Sequence, residues 1–584
     1  MNKMKLCVPV LLAIMLPFCG PSVSAQVTGT TPGQNEQNVV TTIVILATFE
    51  EDMNEASINT TTFRVAATVT GQHSGAVSYE SGTRTAIFTP DAHFASGEMV
   101  TVTLTPDIQF TSGPYLENGY LWSFTTAVDN GTGKFTTDSS YPVGSSPRSI
   151  AAADLDNDGD IDLATVNYTA DNISVLLNNG DGTFADHSTY TAGYPRPYAL
   201  CAADFDRDGD IDLAAVGEDP YMRRNPEIVL WVTILKNDGN GIFNQYSNFS
   251  CGSWISYPIG YQMSICTADF NNDGSCDIAV TSGFDGNVRV LFNNGSGSFG
   301  NRVSYIAGSS PVSLIGADVN NDAHIDLVTA NYESNNISVL INNGNGSFTG
   351  HVDYPSGGHP RSIFSRDLNG DGCLDLAVAN QSSDNVSVLI NNGNGTFATH
   401  IVYAVGNSPS CVRAVDCDRD GDFDLTVANE SSATISYLPN NGDGTFAPGE
   451  EHAVGHGPRY LCDADFNNDG AIDLATANAS SGNVSVLFNE LNCCLTWGHP
   501  GDANSDEDVN LLDILHIVDY VYQEPTGDPP NPGGCDALLD CNGDGEPVDN
   551  SNINLLDILR LVEFIYIMPI GEPEPCCPPG CQKP

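Results

Sequence analysis

The chain has 584 residues, 73 acidic against 20 basic, and a formal net charge of -53. That balance excludes nucleic acid and an anionic membrane surface as partners, because both are held by basic patches. Only 16% of residues are charged and 41% are hydrophobic, so the acid is concentrated in places rather than spread along a disordered tail.

Met1 to Ala25 reads as a secretory signal. Lys3 and Lys5 form the charged end, Leu6 to Phe18 is mostly apolar, and Val23-Ser24-Ala25 is a small-residue cleavage site. The apolar run is too short to serve as a membrane anchor, and no later stretch is long enough to cross a bilayer. The expectation is an exported protein, extracellular or at the cell surface, with 15 of its 17 cysteines left after cleavage.

Residues 27–128 carry short strand-like stretches without repeats: Val44–Phe49, Thr62–Val69, Thr85–Thr89, Val100–Thr105 and Leu121–Thr126. Strands of this length and spacing predict a β-sandwich. The words Ala47-Thr-Phe-Glu-Glu-Asp-Met53, Ile87-Phe-Thr-Pro90 and Trp122-Ser-Phe-Thr-Thr126 resemble bacterial Ig-like domains of the SbsA type. Trp122 and Phe124 are either a sugar platform or core residues, and the core is the preferred reading. The segment reads as a spacer.

Residues 130–490 repeat. An Asp-rich nonapeptide begins at Asp154, Asp204, Asp269, Asp318, Asp367, Asp416 and Asp465, and an Asn-Gly-x-Gly-x-Phe motif or near variant ends at Phe135, Phe184, Phe243, Phe299, Phe348, Phe397 and Phe446. In the first unit Phe135–Tyr141, Arg148–Ala153, Ile161–Asn167 and Asn172–Leu177 have strand composition, with Gly, Asn, Asp and Pro between them. Four strands in ~50 residues, seven times over, predict a seven-bladed β-propeller, with a linear β-solenoid as the alternative. The Asn-Asn-Gly-Asp-Gly turn at 178–182 should fold Ile173–Leu177 against Phe184–Tyr190. Phe135–Tyr141 then has no unit of its own, and the unit ending at Val484–Asn489 lacks a last strand. Pairing the two closes the ring. Cys201, Cys266, Cys462, Cys276 and Cys417 fall at core positions of the repeat, which favours buried thiols over disulfides.

The first Asp loop reads Asp154-Leu-Asp156-Asn-Asp158-Gly159-Asp160-Ile-Asp162. Carboxylates at positions 1, 3, 5 and 9, a bend at Gly159 and the carbonyl of position 7 make the irregular, oxygen-rich cage that Ca²⁺ favours, whereas Mg²⁺ takes fewer protein ligands. Solvated acidic turns are the plainer alternative, but such acids repel one another without a cation. The second loop repeats the pattern with Asp204, Asp206, Asp208, Asp210 and Asp212, and the sixth with Asp416, Asp418, Asp420, Asp422 and Asp424. Asn takes position 3 in the third (Asp269, Asn271, Asp273, Ser275, Asp277), the fourth (Asp318, Asn320, Asp322, His324, Asp326), the fifth (Asp367, Asn369, Asp371, Cys373, Asp375) and the seventh (Asp465, Asn467, Asp469, Ala471, Asp473). In the fourth, Ala323 stands at the Gly position, which marks it as the weakest site. These loops within a four-strand repeat resemble the FG-GAP/VCBS repeats of integrin-α-type propellers. The resemblance implies a calcium-loaded scaffold used for recognition and adhesion.

Residues 493–584 change character. Seven cysteines crowd the segment, as in a disulfide-stapled small domain. Asp502, Asn504, Asp506, Asn510 and Asp513, with the carbonyl of Asp508, form a twelve-residue calcium loop. Leu512, Leu515, Val518, Val521 and Tyr522 then follow at helical spacing, and a second copy ends at Asn554-Leu-Leu-Asp557. The duplicated loop and helix resemble a type I dockerin, which implies a small α-helical domain that docks on a cohesin-type partner. Glu507 replaces the usual Gly, and the second loop carries about six extra residues, Glu546 to Ser551.

Three functions compete: a non-catalytic adhesion or recognition protein for carbohydrate or an extracellular protein, a polysaccharide lyase or glycosidase, and an envelope spacer. No Gly-x-Ser-x-Gly or His-Glu-x-x-His occurs, and nearly every acidic pair belongs to a calcium loop, which favours the first. The second unit is 65 residues long, and its excess holds Tyr221, Arg223, Arg224, Trp254 and Tyr257. Insertions in a repeat array map to loops. These residues are either a ligand site or a longer, self-packed hairpin.

Overall fold

The computed structural model describes residues 27–490 except 129–130, 137–138, 220–226, 256–261, 284 and 301. The signal-like segment, Tyr221, Arg223, Arg224 and Tyr257, the side chain of Trp254, and the whole segment 493–584 with Asp502, Asn504, Asp506, Asp508, Asn510 and Asp513 lie outside the described residues. The described part is mainly β, its one helical element being the short 3-10 turn Glu55–Ser57. No helix among the described residues is long and apolar enough to cross a membrane. Among the described residues, those within 27–128, 133–468 and 472–489 belong to a first compact unit, and 131–132, 469–471 and 490 to a second.

In the first unit, residues 27–128 form two packed sheets. One holds Val27–Thr31, Ile45–Phe49, Thr85–Pro90 and Gly75–Glu80; the other holds Glu36–Val39, Tyr120–Thr126, Met99–Leu104, Phe63–Ala67 and Gly71–Gln72. Strict alternation in Ile45-Leu-Ala-Thr-Phe49 turns Ile45, Ala47 and Phe49 into a core shared with Phe63, Phe88, Trp122 and Phe124. Trp122 and Phe124 are fully buried, as a core pair should be. Four strands were not legible beforehand: Val27–Thr31, Glu36–Val39 and Gly75–Glu80 are largely polar and half-exposed, and Gly71–Gln72 has only two residues.

Seven four-stranded antiparallel sheets follow. In the first, Pro147–Ala153, Asp162–Asn167, Asn172–Leu176 and Ser188–Thr191 pair in sequence order. The second strand is buried at every position, because its sheet is covered on both faces. Each apolar cluster draws on two repeat units: Ile150, Leu163 and Leu176 of the first pack with Phe466, Ala475 and Val486 of the last. Ser139–Pro142 pairs antiparallel with Asn483–Leu487, Tyr141 facing Val484, and Phe135 bridges Asn489. The orphan strand therefore completes the last sheet, as its position predicts, although regular pairing begins only at Ser139. In the second unit the insertion lengthens a hairpin, Glu227–Lys236 against Gln245–Ile255.

The Ig-like segment is not a spacer held away from the repeats. Its loops sit on the Asp loops: Asn35 Nδ2 donates to Gly372 O (3.0 Å) and Asn321 Oδ1 (3.2 Å). Gln37 Nε2 reaches Asp367 O at 2.9 Å, and Asn38 Nδ2 reaches Gly421 O at 3.2 Å. Asn272 Nδ2 donates to Asn118 O (3.0 Å) and Asp154 N to Val69 O (3.1 Å). Short polar side chains on an otherwise unremarkable edge strand satisfy loop carbonyls that solvent would otherwise hydrate.

Candidate metal centres on the Asp loops

Each Asp loop is shaped by two left-handed residues. Position 4 has φ near +60° in Asn157, Arg207, Asn272, Asn321, Arg419 and Asn468 (56 to 65°), and position 6 is left-handed from Gly159 (95°) to Gly470 (86°), Ala323 (67°) included. The turn folds the side chain of position 1 back over the loop, where it accepts the N–H of position 6: Asp154 Oδ2 from Gly159 at 3.2 Å, Asp367 Oδ2 from Gly372 at 2.7 Å.

Position 9 fixes the loop to its sheet. Asp162 is fully buried and accepts Leu155 N (2.9 Å) and Asn178 N (2.7 Å), one on each oxygen. Asp212, Asp277, Asp326, Asp375, Asp424 and Asp473 do the same. The Asn that each of them holds is a functional residue the sequence reading missed. Asn178 Nδ2 donates to Phe466 O of the last unit at 2.8 Å, and Asn237, Asn293, Asn342, Asn391, Asn440 and Asn489 each donate to the unit before their own. Its signal was the Asn that opens every Asn-Gly turn.

The loops divide into two classes. In the first, second and sixth, carboxylates of positions 1, 3 and 9 gather: Asp154, Asp156 and Asp162; Asp204, Asp206 and Asp212; Asp416, Asp418 and Asp424. Within each trio the ligand atoms lie within 4.8 Å of one another. That is the span of oxygens around one Ca²⁺ bound at ~2.3–2.6 Å. Asp154 Oδ1, Asp156 Oδ1, Asp206 Oδ1 and Asp416 Oδ1 are buried without a hydrogen-bond partner. Burial lifts Asp162 to about 7 and Asp212 and Asp424 to about 8, from an ordinary 3.8. Buried oxygens of positions 1 and 3 left without donors, drawn up beside the desolvated carboxylate of position 9, fit a hard cation. The carboxylate of position 5, expected as the fourth ligand, adjoins the trio and caps the next turn, Asp158 Oδ1 accepting Asp160 N at 2.9 Å.

In the fourth and fifth loops the Asn at position 3 satisfies the carboxylate of position 5. Asn369 Nδ2 donates to Asp371 Oδ2 (3.2 Å) while its Oδ1 accepts Asp371 N (3.0 Å), and Asn320 does the same with Asp322. Position 7 side chains serve the neighbouring loop. Asp160 Oδ1 accepts Asn468 Nδ2 (2.6 Å), Asp210 Oδ1 accepts Asn157 Nδ2 (2.8 Å), and His324 Nδ1 pairs with Asn272 Nδ2 (2.9 Å). Two cations of the chain's own also reach the loops. Lys236 Nζ lies 2.6 Å from Asp206 Oδ2 in the second trio, and Arg207 donates to Asp273 O (3.1 Å) and to Ser275 Oγ in the third loop. Lys236 stands where the other units carry Leu177, Phe292, Ile341, Ile390, Pro439 and Phe488, so its signal was a single charge in an apolar column.

Two family models agree with this division of the chain. Residues 22–126 match the bacterial Ig-like domain family. Residues 156–215, 269–329, 318–378, 367–427 and 416–476 match the FG-GAP-like repeat family. The chain thus carries a bacterial Ig-like domain and FG-GAP-like repeats, the modules of an extracellular recognition or adhesion protein. No curated protein matches it. Among solved structures it is similar to an Agrocybe aegerita lectin described by its recognition of non-reducing terminal N-acetylglucosamine, at 22% identity over 67% of this chain and 98% of that one, with a TM-score of 0.39. It is similar too to BBS1N from a complex with ARL6DN, at 12% over 61% and 97% (TM-score 0.41), and to a catalytically inactive virginiamycin B lyase from Staphylococcus aureus, at 12% over 61% and 100% (TM-score 0.40).

Proposed function

We propose that residues 130–490 form a closed, seven-bladed, calcium-loaded propeller, and that the exported protein is a non-catalytic recognition or adhesion molecule for carbohydrate or an extracellular protein. Ring closure is supported by the Ser139–Pro142 strand on the last sheet and by Asn178 of the first unit bound to Phe466 of the last. The observation that carries the metal reading is the carboxylate trio with buried, unpartnered oxygens. Asp154, Asp156 and Asp162 would hold one ion, with the corresponding residues of the second and sixth loops holding two more. The Ig-like domain, bonded to the loop carbonyls, makes loop order and domain seating parts of one structure. Residues 493–584 would join the protein to a cohesin-type partner.

The test is a glycan and matrix panel on the secreted protein with and without calcium, read beside a melting curve. Calcium-dependent binding without release of reducing sugar supports the reading. Reducing-sugar release from a bound polysaccharide makes it an enzyme, and a melting curve indifferent to calcium removes the metal.

A further inference from the structure

We propose that the end of the repeats opposite the Asp loops is an anion site, built from Arg148, Arg361 and Arg459, that takes the carboxylate of a sugar acid. The proposal rests on the reading of residues 130–490 as a recognition propeller and names the ligand class of that reading.

Each of these arginines follows the proline that opens the first strand of its unit, in Pro147–Ala153, Pro360–Arg366 and Pro458–Ala464. The three units therefore deliver guanidinium groups to the same end of their sheets, the end away from the Asp loops. Glu430, from the unit between two of them, lies 2.6 Å from Arg459 and 3.3 Å from Arg361. Among the described residues no carboxylate pairs with Arg148, on which Glu430 acts only from farther off. Its guanidinium lies over the Tyr168 ring at 3.5 Å from the centroid and over Tyr198 at 4.9 Å, and its Nε is buried without a hydrogen-bond partner. The nearby Arg196 is already matched by Glu218 at 3.1 Å.

Three guanidinium groups against one carboxylate leave two positive charges in excess. In a chain of net charge -53 with 20 basic residues, that excess is not a solvated face. The arginines feel one another: burial, with smaller contributions from Arg459 and Arg148, lowers Arg361 to about 10 against the pull of Glu430. The Arg361 side chain is 10% exposed and that of Arg459 23%, so the groups are desolvated yet reachable. At the other end of the same strand, Arg366 meets Met99 of the Ig-like domain at 3.2 Å.

The chemistry selects one carboxylate. A guanidinium stacked on an aromatic ring keeps its N–H edge free for a planar, bidentate partner. Tyr198 donates its hydroxyl to that of Tyr168 at 3.3 Å, so hydroxyl groups border the cation. A heavily charged polyanion is disfavoured by the rest of the acidic surface. A saccharide that is neutral but for one carboxylate, a uronate, matches both features: its carboxylate meets the guanidinium and its hydroxyls meet those of Tyr168 and Tyr198.

The experiment is titration calorimetry on the whole, calcium-loaded protein with methyl glucuronide, methyl glucoside and sodium acetate. Glucuronide should bind at least tenfold more tightly than glucoside or acetate. Arg148→Gln should lose that preference without moving the melting temperature, and Glu430→Gln, which removes the competing carboxylate, should tighten glucuronide binding. Equal binding of glucuronide and glucoside, acetate binding as well as glucuronide, or an unchanged affinity in Arg148→Gln overturns the proposal. If no glucuronide binds while another glycan binds in a calcium-dependent way, this site falls and the recognition reading stands. If calcium leaves melting unmoved, the propeller reading falls first.

Discussion

The Asp loops of the first and fifth units run Asp-Leu-Asp-Asn-Asp-Gly-Asp-Ile-Asp and Asp-Leu-Asn-Gly-Asp-Gly-Cys-Leu-Asp, and one atom pair at position 3 separates their behaviour. Asn369 brings an N–H that binds Asp371, and the fifth loop needs nothing from outside to hold that carboxylate. Asp156 brings a second acceptor, and the first loop is left with facing, unpartnered oxygens on Asp154 and Asp156. Similar backbones thus give one loop that holds its carboxylate internally and one that leaves acceptors a cation would complete. Dependence on calcium should be concentrated in the first, second and sixth loops rather than shared by seven.

The largest expected effect follows. Ions that bind only the native state add about 2.7 kcal/mol per site at ~100-fold excess over Kd. Three such sites make calcium removal a drop of ~10 °C or more in melting temperature. Asp156→Asn, which converts the first loop to the fifth class, should cut the calcium-dependent part of that shift by about a third. An equal loss from Asn369→Ala would show that the two classes do not differ.

The pH dependence should be next in size, and its sign is fixed. Burial raises Asp162 to about 7 and Asp212, Asp375 and Asp424 to about 8, whereas the unfolded carboxyls titrate at about 3.8. Between these values the folded, calcium-stripped chain holds protons that the unfolded chain has released, so its stability falls as pH rises from about 4 to 8. Calcium requires the deprotonated oxygens, so its stabilising increment should grow over the same window. Thermal melts at pH 5 and pH 8, stripped and loaded, check both slopes. A stripped protein that gains stability towards pH 8 would show that these carboxyls are not desolvated.

Within the first class, Lys236 marks the second loop off. Its ammonium on Asp206 supplies part of the charge that a divalent ion would otherwise bring. Lys236→Leu, which restores the residue type of Leu177, should tighten calcium at that loop several-fold, equivalent to about 1 kcal/mol. Titration calorimetry would register one class of sites moving. A drop in affinity would mean that Lys236 positions Asp206 rather than competing for it.

Repeat count, strand order and pairing of the orphan strand were legible because they depend on periodicity and turn residues, which are local. The loop oxygens were legible as a set, but not their division into classes, because that turns on whether an amide N–H finds a carboxylate in three dimensions. Nor was the seat of the Ig-like domain legible, since Asn35, Gln37 and Asn38 look like any polar edge until the carbonyls of Gly372, Asp367 and Gly421 lie opposite them. Lys236 and the three proline-linked arginines were visible as residues. Their meaning depends on which charges the fold places beside them.

The smallest effect tests the loop backbone alone. Position 6 is left-handed in every loop, and in the fourth it is Ala323, at φ 67°. A Cβ there costs about 1–2 kcal/mol, offset in part by the smaller entropy an alanine loses on folding. Ala323→Gly should therefore stabilise the protein by about 0.5–1 kcal/mol, visible as a higher urea midpoint at constant m-value. The reverse change is available in the fifth loop, where Gly372 has φ 83° and an added Cβ would meet nothing within 4 Å. Gly372→Ala should cost about the same amount through conformation only. If the first change destabilises while the second costs what is expected, the buried Ala323 methyl contributes more packing than its φ angle costs, and the fourth loop is adapted to alanine rather than strained by it.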